Sequence, residues 1–293
     1  GETGGALPGQ TKSSDWFVMD VFLRKYDGSG NEIWTRQFGS REGRGSASVA
    51  VDSSGNAYVA GSGALLGQSS SGPYDAFVRK YDGSGNEVWT RQFGSSAEDS
   101  AGGIAVDGSG SVYVAGCTVG VLPGQISSGG PDAFVRKYDS SGNEIWTRQF
   151  GADGPDVANG VAVDGSGNVY VAGAISIVFP GQNFFTSNGF LRKYDGSGNE
   201  IWTRQFEKEG DSEAYGVTVD VSGNAYIAGM TWGALLGQTN LGDGDAYLIK
   251  FVEAAPGEGT AAPSGGSNWP LIAGIVVAVV VIGIAAGVYI RRR

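Results

Sequence analysis

Along residues 1–252 the apolar positions come in short runs, most of them alternating with polar side chains. DAFVRKYD (75–82), EVWTRQFG (87–94), GIAVD (103–107) and VYVAG (112–116) show the pattern. Each is rich in Val, Ile, Tyr, Phe, Trp or Thr and bounded by Gly, Ser, Asp or Asn, which predicts short β-strands. No stretch of residues 1–252 sustains a helical period beside them. The joints differ in kind. D-G-S-G-N links the first strand signal to the second, and D-x-S-G-N the third to the fourth. Both fit tight hairpins, because Gly accepts positive φ and Asp and Asn bond nearby backbone. Longer segments, such as SSAEDSA (95–101) and CTVGVLPGQISSGGP (117–131), make the other joints.

The whole four-strand pattern recurs. YDGSGNEIWTRQFG (26–39) returns almost unchanged at 81–94, 138–151 and 194–207. Trp34, Trp89, Trp146 and Trp202 mark a period of about 56 residues. A unit of this size cannot bury both faces alone, so its copies must pack on one another. Four-stranded sheets repeated radially form a β-propeller. The expectation is an all-β chain: four complete repeats plus one orphan strand at 245–252, part of a larger ring, followed by one transmembrane α-helix. The four recurrent Trp are expected to be structural, filling the gap between adjacent blades.

The ends of the repeat are unequal. GETGGALPGQ (1–10) aligns with the connector after the fourth strand, and DAYLIKFV (245–252) with a first strand. Second, third and fourth strands placed before Gly1 would close the ring. The sequence is therefore expected to be incomplete at its N-terminus and to form an open arc by itself.

These residues resemble the bacterial β-propeller repeat called SBBP. Its pattern is similar to DAFVRKYD, GNEVWTRQFG, GIAVDGSGSVYVAG and IVFPG (177–181) here, and the likeness covers residues 1–252. The resemblance implies a propeller in a surface or secreted protein and no single activity. The family's loop acid before I-A-V-D corresponds to Asp99, Asp156 and Asp211, while the first copy carries Arg44. A second resemblance links D-x-S-G-N-x-x-W to the tryptophan-docking motif of quinoprotein dehydrogenases, although Asp27 and Gly30 stand one residue too close.

Composition narrows the function. Glycine is abundant, at 52 residues, without a Gly-X-Y period, and aromatics at 11% supply a core. The formal net charge of −10 argues against a nucleic-acid partner, which needs an excess of Lys and Arg. There is one cysteine and no histidine, which removes disulfide frameworks, Cys-rich zinc sites and His-based dyads. Cys117 is expected to be a small buried hydrophobe.

The tail reads differently. Residues 253–268 form a Pro/Gly/Ser-rich disordered linker, and LIAGIVVAVVVIGIAAGVYI (271–290) carries no charge. As a helix it spans about 30 Å, the thickness of a bilayer core. Arg291, Arg292 and Arg293 then stay cytoplasmic, Trp269 suits the opposite interface, and the repeats face outward. Residues 269–293 are thus expected to be a membrane anchor, with Gly283 and Gly287 a GxxxG for pairing in the bilayer. Gly265-Gly266-Ser267 with the Arg cluster also resembles bacterial sorting tails that are cleaved.

Parity places the tight turns on one face of the disc and the long joints on the other. The loop face carries Glu42, Glu98, Asp99, Asp153, Asp156, Asp211 and Glu213, with Leu65, Phe184, Phe185 and Trp232 among them. Asp99, Asp156, Asp211 and Trp232 are the candidate binding residues, since binding concentrates on loops over a rigid scaffold. The function expected is a membrane-anchored, extracytoplasmic, non-catalytic binding, adhesion or scaffold module. Its partners are the bilayer and an unidentified extracellular protein or glycan. No catalytic or metal residue and no cofactor is assigned. The alternatives are a glycan-active hydrolase, a quinoprotein-like dehydrogenase, or a Ca²⁺-stabilised scaffold. The D-G-S-G-N turn is not expected to hold Ca²⁺, because Glu32 and Phe38 stand where an EF-hand loop needs its glycine and its bidentate acid.

Overall fold

The computed structural model describes residues 1–12, 19–39, 48–178, 184–206, 210–235, 239, 242–252 and 278–282. Its strands form a series of antiparallel sheets. The first holds β1 (Glu2–Thr3), β2 (Asp20–Tyr26) and β3 (Glu32–Phe38). The second holds β4 (Ser48–Val51), β5 (Ala57–Ser62), β6 (Ala76–Tyr81) and β7 (Glu87–Phe93). The third holds β8 (Asp99–Val106), β9 (Val112–Thr118), β10 (Asp132–Tyr138) and β11 (Glu144–Phe150). The fourth holds β12 (Val157–Val163), β13 (Val169–Ile177), β14 (Thr186–Tyr194) and β15 (Glu200–Gln205). The last holds β16 (Ser212–Val219), β17 (Ala225–Thr231), β18 (Asp245–Phe251) and β19 (Ala278–Ile282). Sheets of this kind in series are consistent with a β-propeller.

The sheets are out of step with the sequence period. The second, third and fourth sheets each join the third and fourth strands of one repeat to the first and second of the next, so the joint after the Trp-bearing strand crosses between sheets. This corrects the expectation for 245–252. That segment is not an orphan: β18 pairs with β17 from Ala225↔Phe251 to Thr231↔Asp245. Alternation alone marks strands but leaves open which neighbour each one pairs with.

The tight turns show why the sequence folds this way. Asp82 Oδ1 accepts the N–H groups of Ser84 (2.9 Å) and Asn86 (2.8 Å), Asp82 Oδ2 accepts from Asn86 Nδ2 (2.9 Å), and Gly85 takes φ 81°. The same bonds recur at Asp27, Asp139 and Asp195.

A second contact locks one sheet to the next through these turns. Trp89 Nε1 donates to Ser140 O (3.2 Å) and Arg91 Nε to Gly142 O (2.7 Å), both in the turn of the following sheet. Trp34 and Arg36 hold Gly83 and Gly85 in the same way, and Trp146 and Arg148 hold Gly196 and Gly198. The indole lies flush on the turn: a Cβ on Gly142 would stand 2.9 Å from Trp89 Cδ2. Trp34, Trp89 and Trp146 are buried. Trp202 is only half-buried, with Arg204 over its ring at 5.2 Å. In the last sheet the turn sequence YDGSGN is replaced by FVEAAP (251–256), which removes the clamp's seat.

The first strands β4, β8, β12 and β16 pack in succession against one another, the last three with little side chain between. A Cβ on Gly103 would lie 2.9 Å from Asn159 O, and one on Gly160 would lie 3.1 Å from Val217 N. Register shifts at Ala101/Gly103, Ala158/Gly160 and Ala214/Gly216 bulge these strands at equivalent points. Apolar clusters fill the spaces between sheets, as where Tyr58, Val78 and Trp89 meet Ile104, Val114 and Phe134.

At the C-terminus, residues 278–282 pair with β18 from Ala246↔Ile282 to Lys250↔Ala278. This is the slot that β7 occupies on β6, where Ala76 faces Phe93 and Lys80 faces Trp89. The expected membrane helix therefore meets a strand at these five residues, and the rest of 271–290 lies outside the described residues. A Val/Ile-rich segment has the β propensity to cap an edge strand. The slot is also more apolar here: Ile249 replaces the Arg of the other copies, such as Arg79, which bonds Thr90 Oγ1 (2.7 Å) and pairs with Glu87 (3.4 Å). Among the described residues no helix is long and apolar enough to cross a membrane. The linker 253–268, Trp269, Gly283, Gly287, Arg291–Arg293, Glu42 and Arg44 lie outside the described residues as well.

The unequal clamps predict unequal costs. Trp89→Ala should destabilise by about 3–5 kcal/mol, the range for a buried aromatic. Trp202→Ala should cost clearly less. Denaturant unfolding of the two variants side by side checks the order.

Candidate functional site

The long joints within sheets, β5–β6, β9–β10, β13–β14 and β17–β18, lie on the face opposite the tight turns. The β5–β6, β9–β10 and β17–β18 joints each carry a buried leucine, Leu65, Leu122 and Leu235. Leu65 and Leu122 are buried, their N–H groups donating to Gln92 Oε1 (2.7 Å) and Gln149 Oε1 (2.9 Å). Leu65, expected on the loop surface, is thus part of the core, where it packs with Val59 and Phe77. Beyond these anchors the joints expose apolar side chains: Leu66, Val119, Val121, Ile126, Phe184, Phe185 and Trp232. Ile126 is 84% exposed and Phe184 63%. The two phenylalanines and Trp232 were legible as loop residues, whereas Ile126 and Val121 carry no motif that marks them.

The candidate acids divide. Asp211 is exposed, with Oδ1 accepting the Ser187 N–H at 2.9 Å. Trp232 is 43% exposed. Asp99 and Asp156 are instead interior, each 1% exposed. Asp99 Oδ2 accepts Ser95 N (2.6 Å) and Ser95 Oγ (3.1 Å), and Asp156 accepts Ala152 N (2.6 Å) and Ser176 N (2.7 Å). They hold the crossing between sheets rather than offering a surface. Burial pushes the Asp99 carboxyl above its usual range, with Asp75 adding to the effect and hydrogen bonds opposing it. Burial likewise pushes Asp156 up to about 6, opposed by the two N–H donors and reinforced by Asp132. Exposed and interior acids look alike in sequence, because both sit in short polar loops.

The turn acids have a different environment. Asp164 accepts Ser166 N (2.9 Å), Asn168 N (2.9 Å), Asn168 Nδ2 (2.8 Å) and Tyr170 Oη (3.3 Å). Asp220 repeats this set, and its carboxyl is drawn down to about 2, chiefly by the Asn224 side chain. Carboxylates so committed to N–H donors have few lone pairs left for a cation. Among the described residues no group of three or more His, Cys, Asp or Glu could hold a metal ion. Cys117 is half-buried, its thiol pushed up by burial and by the negative Asp99 and Glu98. An open recess between outer rims is lined by Arg148, Phe150, Arg192, Tyr194 and Glu200. Its cations are already engaged, Arg148 with Gly198 O (2.7 Å) and Arg192 with Thr203 Oγ1 (2.7 Å) and Glu200 (3.4 Å).

With this geometry in hand, comparison with known proteins assigns the repeat. Residues 33–63, 88–123, 145–180 and 201–237 match the family model SBBP, described as a beta-propeller repeat. Four stretches of the chain thus match that repeat. It is 34% identical over 164 residues to the "Regulatory protein FlaEY" of Caulobacter vibrioides, covering 50% of this chain and 17% of that protein. It is 30% identical over 123 residues to the "Uncharacterized WD repeat-containing protein L264" of Acanthamoeba polyphaga mimivirus, covering 37% of this chain and 8% of that one. The similarity therefore spans only a small part of either relative.

The turn acids set the acid limit of the fold. A carboxyl held below its unfolded value contributes stability above about pH 4, which is lost as pH falls through its folded value. Melting temperature should fall steeply between about pH 4 and about pH 2. Asp164→Ala should lower stability by about 1–3 kcal/mol at neutral pH, through its unpaired N–H groups. Thermal melts across pH check both.

Proposed function

We propose that the chain is a non-catalytic binding or adhesion module, displayed outside the cytoplasm and anchored through residues 271–290. The observation that carries this reading is the set of exposed apolar side chains on one face's loops, with Phe184, Phe185 and Trp232 the largest. Aromatics at the centre of an interface supply much of its binding energy. Asp211, exposed at the crossing before β16 and accepting the Ser187 N–H, adds a polar contact beside them. Asp99 and Asp156, two of the loop-face acids that an acid–base mechanism would call on, are buried at the sheet crossings, which favours binding over hydrolysis. A relative named a regulatory protein is compatible with a non-catalytic role.

The anchor rests on sequence physics. Residues 271–290 carry no charge and end on Arg291–Arg293. A helix of that length satisfies its own backbone in lipid, whereas a strand at 278–282 covers only five residues of the run. In the membrane state the anchor leaves the β18 slot, and Gly283 and Gly287 face a second helix. The partner is an extracellular protein or glycan.

Fractionation and capture test the two halves separately. Full-length chain should remain with membranes after carbonate washing, and truncation at residue 252 should release it. Wild type should be retained on cell-envelope fractions. Phe184→Ser, Phe185→Ser and Trp232→Ser together should reduce retention at least about tenfold, the loss of about 1.4 kcal/mol or more, with unchanged melting temperature. Undiminished retention of the triple variant would remove the loop face from the reading.

A further inference from the structure

The crossings between sheets repeat one problem with different residues. The acid that opens the third strand of a sheet meets the residue that opens the next sheet. The position pairs are Asp75 with Asp99 and Asp132 with Asp156, and in the next copy the same places hold Asn188 and Ser212. That last pair is an amide and a hydroxyl. The first two are acid with acid, and all four of these carboxylates are buried: Asp75 and Asp132 at 0% exposure, Asp99 and Asp156 at 1%.

Each acid pair converges on a glycine. A Cβ on Gly94 would collide with Asp99 Oδ2 and stand 2.6 Å from Asp75 Oδ1. A Cβ on Gly151 would collide with Asp156 Oδ2 and stand 2.6 Å from Asp132 Oδ1. Two buried like charges at this range cannot both persist without a counter-charge. A metal ion is a poor fit, because the oxygens are already taken by donors. Asp75 accepts from Ser71 N, Gly72 N and Gln92 Nε2, and Asp132 from Ser128 N and Gln149 Nε2. Asp99 Oδ1 is the exception: it is buried and accepts no close hydrogen bond, although the Thr118 hydroxyl stands near enough to favour the charged carboxylate.

We propose that Asp75–Asp99 and Asp132–Asp156 are carboxyl–carboxylate pairs, each sharing one proton, and that they make the central sheet crossings a pH-sensitive latch. In each pair the proton on one carboxyl is donated to the other. Deprotonation leaves two negative charges facing each other across the crossing. The surrounding charges do not cancel this. Asp99 is faced by Asp75, with Glu98 and the Cys117 thiol nearby, and Asp156 by Asp132 with Arg192 opposing. The upward displacement of Asp99 and Asp156 agrees. A folded-state value raised above the unfolded one contributes stability that is complete below about pH 4 and is lost as pH rises through the folded value, about 6 for Asp156.

The molecule supplies its own control, since Asn188 occupies in the fourth sheet the place of Asp132 in the third. Full-length protein in detergent is compared with Asp75→Asn, Asp132→Asn and the double variant. Melting temperature is followed from about pH 4.5 to about pH 7.5, the range over which the proton leaves. Wild type should lose melting temperature across this range, each single variant less, and the double variant least. Carbon-13 carboxyl NMR of the wild type, which needs no variant to fold, should show aspartate signals titrating near pH 6. Parallel slopes in all four proteins, or aspartate signals that all titrate below about pH 4.5, would overturn the proposal. A wild-type slope abolished by millimolar CaCl₂ would also overturn it, by making the pairs cation sites.

Discussion

The first three sheets are each held to the next through two carbonyl oxygens of one turn. The indole N–H of one sheet takes the first and the guanidinium takes the second, while the ring lies against the glycine that bears the second. This contact needs three things in two places: Trp and Arg on the outer strand, and a turn whose glycine has positive φ and no Cβ on the next sheet. None is useful without the others. It explains why W-T-R and D-x-S-G-N are spelled together in every copy, since the motif is both the seat for the preceding sheet and the clamp on the following one.

The clamp works at the outer rim, and glycine does the opposite job near the inner strands. There Gly103 and Gly160 bring backbones so close that no side chain would fit between them. The sheets are thus wedged, wide with aromatics outside and thin inside. Arg79, Arg136 and Arg192 lie between these limits, each over the phenylalanine of the preceding sheet at 4.2, 4.1 and 4.1 Å. A guanidinium can stack on a ring and still reach Thr and Glu on its own sheet, which suits a space that is part apolar and part wet.

Much of this was legible in the chain. Strand runs, tight turns and the period follow from local chemistry, and local chemistry is what a sequence displays directly. The pairing of DAYLIKFV with the strands before it was not legible, because alternation is the same whichever neighbour accepts the hydrogen bonds. Nor was the division of the loop acids. Asp99 and Asp211 sit in loops of similar polarity, yet Asp99 turns inward to Ser95 while Asp211 lies in the open. Leu65 misled for the same reason, since a leucine beside glycines looks exposed until Gln92 is seen to hold its backbone. Phe184, Phe185, Trp232 and Asp211 were both visible in sequence and placed at the surface.

The half-period offset between sheet and sequence separates two kinds of unit. Tandem duplication at the level of the gene copies the sequence period, but each such copy delivers half of one sheet and half of the next. Arrays can therefore lengthen or shorten by whole periods while every internal sheet stays hybrid, stitched from neighbours that must remain compatible. Selection on any one copy is in consequence shared with the next, which offers a reason why these periods have stayed so nearly identical.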